Sequence, residues 1–406
     1  VSPDALGSDF GQVIRRLEAK NRQRPAPRVR SLEELLGGEV AETERGRVLL
    51  VRRRFHLEHR HGRQPLGPAR EMAPASLGLL GRDGGAPPHP RRLLFLDTET
   101  TGLAGGTGTY AFLVGVGFFD GEDFEVRQYF MRDLDEEPAL LAALEGLFRG
   151  FEGFVTYNGR GFDLPLLETR FVLGRRRFPG GAFHVDLLGP ARALWRTRLE
   201  DCRLATLERH VLGFTREDDL PGALIPSAYF EYLRRKHPGE LPRIFDHNRH
   251  DILSLAALAG WVAGALERAP LAGLAPDELV GLGRLWEAAD PERALSCYRA
   301  ALGLGLPSPG RERLLLRLAA WEKRLRRWEE ARRLWEAAAG AEHGFDPRPW
   351  EEIAKVHEHR QRDLATARAV VQEALDRARR FRAPARVLEA FQYRLARLTR
   401  RLERLS

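Results

Sequence analysis

"LLFLDTETTGL", Leu93 to Leu103, sets two acids one residue apart at the end of an apolar run. In a strand, side chains at i and i+2 share a face, so Asp97 and Glu99 project together from the end of a buried segment. Like charges held that close repel. Either a positive group sits between them or one keeps its proton.

Reading outward, "TYAFLVGVGFFDG" and "DFEVRQYFM" are two further strands joined by Asp120 and Gly121, a hairpin signal. "DEEPALLAALEGLF" then repeats its apolar residues with helical spacing. A strand ("GFVTYN"), a helix ("FDLPLLETRFVLG") and a strand ("FHVDLL") follow, and then helices that end in "RIFDHNRHDILSLAALAGWVAGALERA". Three strands and then strand–helix alternation predict an α/β fold with a mixed sheet flanked by helices, an order that resembles the ribonuclease H-like fold. Upstream, "SDFGQVIRRLEAK" reads as a short capped helix, and "GRVLLVRRRFHLEHRHG" as a strand that joins the sheet. Its basic run Arg52 to Arg54, with His56, His59 and His61, is either a nucleic-acid surface or a strand edge guarded by charge.

Past residue 270 the chain turns to helices only, and it repeats. "ERALSCYRAALGLG", "EEARRLWEAAAGAE" and "ATARAVVQEALDRA" align Ala294, Ala331 and Ala367, each followed at the same intervals by a large residue and another alanine. A period of roughly 35 residues with small residues in register predicts tetratricopeptide-like helix pairs. The expected domains are an N-terminal extension over 1–90, an α/β domain over 91–268 and a helical repeat domain over 271–406.

The 406 residues carry a net charge of +8 with 65 Lys and Arg, of which only Lys20, Lys236, Lys323 and Lys355 are lysines. Arginine binds phosphate bidentately, so this excess favours a nucleic-acid partner. Two cysteines, Cys202 and Cys297, make a disulfide framework or a zinc site a poor reading. No apolar run is long enough to span a membrane, and the first residues lack the pattern of a secretion signal, so a cytoplasmic location is expected.

Three later stretches add acids to the opening pair. "VTYNGRGFDLPLL" ends a β-rich run at Asn158-Gly159 before Asp163 enters a helix, and "FHVDLLGPARALW" ends a strand at Asp186. "DHNRHDILSL" places His247 and Asp251 four apart, on one helix face. In this order and on these elements, "FLDTETTGL", "YNGRGFDLPLL" and the final Asp251 resemble the three motifs of the DEDD family of 3′-to-5′ exonucleases. That resemblance implies two-metal phosphodiester hydrolysis, with Asp97, Glu99, Asp163 and Asp251 as ligands of two divalent ions, Mg²⁺ or Mn²⁺. It also implies His247 as general base, although in the family that histidine usually lies five residues before the last Asp rather than four. Thr101, Leu103 and Asn158 become candidate substrate contacts.

The whole chain also resembles the bacterial YprB-type ribonuclease H-like proteins, through "DDLPGALIPSAYFEYL" as well. This implies C-terminal tetratricopeptide-like helices, DNA as substrate, a role in DNA repair, and a helicase or other repair protein as partner of the repeats. The alternatives are a ribonuclease of the same fold, or a silent nucleic-acid-binding scaffold that works through its helices.

Overall fold

A computed structural model of the chain describes residues 31–81, 85–102, 107–181, 183–267, 273–340 and 344–404. The leading helix expected at 8–20 lies outside the described residues, as does Leu103. The described residues up to Leu187, together with Arg203–Gly264, form one compact unit. Leu188–Cys202 and the chain from Ala265 onward form a second.

The first unit is built on a seven-stranded sheet. Its strands are β1 (Gly38–Thr43), β2 (Gly46–His56), β5 (Leu93–Thr100), β6 (Ala111–Asp120), β7 (Asp123–Phe130), β8 (Gly153–Thr156) and β9 (Phe183–Asp186). A separate two-stranded ribbon comprises β3 (Arg60–His61) and β4 (Gln64–Pro65). The order across the sheet is β1-β2-β7-β6-β5-β8-β9, antiparallel from β1 to β5 and parallel from β5 to β9. The opening stretch therefore occupies the strand where the pairing changes hand, with both neighbours bonded. That position explains its unbroken apolar start, since a strand covered on both faces has no solvent side.

β2 is an interior strand, paired to β1 on one side and β7 on the other. The reading of Arg52, Arg53 and Arg54 as an exposed edge is thereby corrected. Each is engaged in place: Arg52 pairs with Glu39, Arg53 donates to the carbonyls of Leu36 and Gly37, and Arg54 bridges Asp120 and Glu125.

Helices cover both faces. Glu137–Phe148 and Asp163–Leu173 pack an aromatic cluster of Phe148, Phe154, Phe171 and Phe178. The helix Leu241–Glu267 lies against the face that carries Asp97 and Glu99. Its approach is close because β6 presents glycine there: a Cβ on Gly115 would meet Asn248 Oδ1 at 2.1 Å, and one on Gly117 would meet Ile252 Cγ2 at 2.5 Å. Both separations are shorter than carbon can tolerate, so only glycine admits the helix.

In the second unit, seven helices run from Pro276–Trp286 to Ala385–Glu403 among the described residues, and sequence neighbours pack in pairs. Ala294, Ala331 and Ala367 are fully buried where the helices meet. The segment 188–202, expected in the α/β part, belongs to this unit. The helix Leu188–Trp195 is tied in by Trp195 Nε1, which donates to Glu278 Oε1 at 2.9 Å.

Gly115→Ala should lower stability to urea by about 1–3 kcal/mol, because the helix must move off the sheet. Gly146→Ala, on an exposed helical position with open space around it, should instead gain up to about 1 kcal/mol. Equal effects would show that the contact at Gly115 is not restrictive.

Candidate active site

Asp97 and Glu99 emerge on one face of β5, in register with Gly115 and Leu113 of β6. Over that face the helix Leu241–Glu267 presents His247, Asn248 and Asp251, at positions three and four apart. Glu99, His247 and Asp251 each offer a ligand atom within 4.8 Å of the others. His247 Nε2 lies 3.5 Å from Asp251 Oδ2 and 4.0 Å from Glu99 Oε1. Side-chain exposures of 12% for both acids and 16% for the histidine leave the cluster little open to solvent.

Asp97 and Asp163 stand outside that group of three but inside its field. Asn248, fully buried, donates from Nδ2 to Asp97 Oδ2 at 2.9 Å. Its own carbonyl accepts from Gln128 Nε2 at 3.0 Å, and Gln128 is the cross-strand partner of Gly115. Asp97, Gly115 and Gln128 thus form one row across three strands, spanned from above by a single amide. Asp163 is buried at the first residue of its helix and accepts from Thr98 Oγ1 at 2.6 Å. Thr98 points to the opposite face from its two neighbours, which draws the helix start to the same strand end from the other side.

The electrostatic result is strain among acids. Burial raises Asp97 well above the ordinary carboxylate range, and the charges of Asp251, Asp163 and Glu99 raise it further. Burial likewise lifts Glu99 to about 8, with His247 working in the opposite direction. Asp163 rises to about 6, again chiefly through burial, despite the bond from Thr98. Burial and the neighbouring acids thus favour the protonated form of Glu99, and the His247 charge favours the ionised one. For His247, burial opposes the charged imidazolium, but Asp251 and Glu99 outweigh it and the pKa is raised.

One cation of the chain already enters the cluster. Arg216, whose side chain is 8% exposed, donates from Nη2 to Asp251 Oδ1 and to Glu208 Oε1. Glu208 Oε2 also accepts from Arg216 Nε at 2.8 Å, so the pair is bidentate. Glu208 stems from a π-helical turn, Glu208–Leu212, and is braced behind by Ser254 Oγ at 2.5 Å. Ser254 in turn meets His61 Nε2 at 2.7 Å, which links the β3–β4 ribbon to the site. On the other side, Asp219 Oδ1 lies 2.8 Å from His247 Nδ1. With its proton on Nδ1 the ring donates to Asp219 and turns Nε2 toward Glu99 and Asp251.

The remaining candidates are held by local hydrogen bonds. Thr101 Oγ1 accepts from the Tyr110 N–H at 2.9 Å and closes the loop after β5. Asn158 sits exposed with φ of 64°, and its N–H donates to Asp186 Oδ1 at 2.8 Å. Asp186 also accepts from the Arg160 N–H at 3.3 Å and so pins the loop ahead of Asp163. His250 packs edge-on to Phe214 and is lowered to about 4, mainly by burial. Asn248, Gln128, Asp219, Arg216 and Glu208 were missed from sequence. Asn248 sits beside His247 within a quoted motif, whereas nothing near Arg216 or Glu208 marks them.

Residues 94–263 match the RNase_H superfamily model. This part of the chain has the ribonuclease H-like fold. A Bacillus subtilis (strain 168) protein, YprB, is 35% identical over 208 residues, which is 50% of each chain. The chain thus spans about half the length of that relative. Among the described residues no helix is long and apolar enough to cross a membrane.

Arg216→Met should cost about 3–5 kcal/mol in urea denaturation with chelator present, because it leaves Glu208 buried without its partner. A loss below about 1 kcal/mol would mean that the bidentate pair contributes little to the site.

Proposed function

We propose that the first unit is a divalent-metal-dependent nuclease that removes nucleotides from the 3′ end of DNA. The observation that carries this is the convergence of Glu99, His247 and Asp251 within 4.8 Å at the end of a ribonuclease H-like sheet, with Asp97 and Asp163 adding their charge. Desolvated oxygen donors that repel one another suit hard cations such as Mg²⁺ or Mn²⁺. When bound, two such ions make a nucleophile of water and neutralise the departing oxygen. Asp97, Glu99, Asp163 and Asp251 are the residues that would hold them.

The chain's own groups complete the chemistry. His247 Nε2 faces the acids and takes a proton from the water held there, while Asp219 at Nδ1 fixes the ring. Asn248 locks the Asp97 carboxylate against the sheet, and Arg216 fixes Asp251 from behind. The 3′-to-5′ direction rests on the three ordered motifs, and DNA with a repair role rests on the resemblance to YprB-type proteins.

End-labelled single strands of DNA and RNA, incubated with Mg²⁺, Mn²⁺ or EDTA, test this reading. DNA should shorten from its 3′ end with either ion and stay intact in EDTA, and Asp97→Asn should abolish the ladder. His247→Ala should lower kcat by about 10²–10⁴-fold. Asp219→Asn should lower kcat less, with KM little changed. Hydrolysis that persists in EDTA, or in Asp97→Asn, overturns the proposal.

A further inference from the structure

Residues 364–404 hold eleven arginines against four acids, a net charge of +7 in a chain whose total is +8. These residues are the helices Leu364–Arg380 and Ala385–Glu403, the turn that joins them and Arg404. Several arginines elsewhere are neutralised where they stand, among them Arg132 by Glu33 and Glu136, Arg170 by Glu137, and Arg176 by Glu44 and Glu145. In the last helix only Arg397 and Arg401 are, both by the buried Glu358. Among the described residues no carboxylate lies in ion-pair range of Arg386, Arg400 or Arg404.

Three arginines without an ion pair and one tyrosine share a side of this helix, Arg400 also donating from Nε to the Ala396 carbonyl at 3.3 Å. Arg386, Tyr393, Arg400 and Arg404 follow one another at intervals of seven, seven and four residues. At about 100° per residue these fall within roughly 40° of one another around the helix, and they run along it for about 27 Å. All four are exposed, and Tyr393 is 70% exposed with no aromatic neighbour among the described residues. The opposite side of the helix is spent on packing: Phe391 and Leu398 are buried, with Val387, Leu388, Leu395 and Leu402 against the same core. A helix that lay on a bilayer would need that apolar side free.

We propose that this outward stripe is a track for single-stranded nucleic acid, with Arg386, Arg400 and Arg404 on phosphates and Tyr393 stacked on a base. A row of cations with an aromatic between them is what a strand with unstacked bases recognises, whereas a paired duplex hides its base faces. The inference deepens the nuclease reading by naming a substrate-binding surface, and it rests on that reading only for its biological meaning.

The test reads binding, not cleavage. Fluorescence anisotropy of a labelled thymidylate 20-mer is followed with the 406-residue chain in EDTA, over a series of salt concentrations. Arg386→Ser, Arg400→Ser and Arg404→Ser together should weaken affinity at least tenfold. They should also flatten the slope of log affinity against log salt by about 2, three phosphates at roughly 0.7 each. Tyr393→Ala should weaken affinity about fivefold or more at unchanged slope. Circular dichroism equal to wild type shows that the variants are folded. Wild-type affinity and slope in both variants overturn the proposal, as does a loss confined to vesicles of phosphatidylserine. If binding depends on the stripe but no divalent ion supports hydrolysis, the nuclease reading fails and this inference stands.

Discussion

Everything at the site depends on how near the helix Leu241–Glu267 can come to the sheet. Gly115 and Gly117 remove the two side chains that would hold it off, and Asn248 and Ile252 fill the space that they leave. The same amide that occupies this gap bonds both Asp97 and Gln128, so backbone spacing and carboxylate position are set by one contact. From there the helical repeat does the rest. His247 precedes Asn248 and Asp251 follows it by three, and both meet Glu99 over the strand end.

That closeness creates an electrostatic problem and fixes its form. Acids that in water would ionise freely are held near one another with little solvent, and Asp97, Glu99 and Asp163 respond by clinging to protons. Arg216 offsets part of the charge but is itself shared with Glu208, which lies deeper. The chain supplies enough positive charge to fold and too little to satisfy the cluster. That condition is what the proposed metal site rests on.

The topology and the acids were legible because they follow local rules. Alternation puts Asp97 and Glu99 together, a four-residue interval does the same for His247 and Asp251, and β-rich runs punctuated by turns mark the strands. Arg216, Glu208 and Asp219 were not legible, since a residue from a loop or a π-helical turn reaches the site through tertiary folding alone. The interior place of β2 escaped for a similar reason: its arginines look like a solvated edge until Glu39, Asp120 and Glu125 are brought beside them. Within the second unit, charge was visible as composition, but its gathering along one helix shows only once the apolar side is seen to be buried.

Anomalous diffraction from crystals grown with manganese would examine the carboxylate cluster most directly. A peak bonded to oxygens of Glu99 and Asp251 at about 2.1–2.4 Å, with Arg216 still paired to Glu208, is the expected result. Density with no manganese among these acids, at concentrations that saturate other oxygen sites, would contradict the assignment of a metal-dependent nuclease.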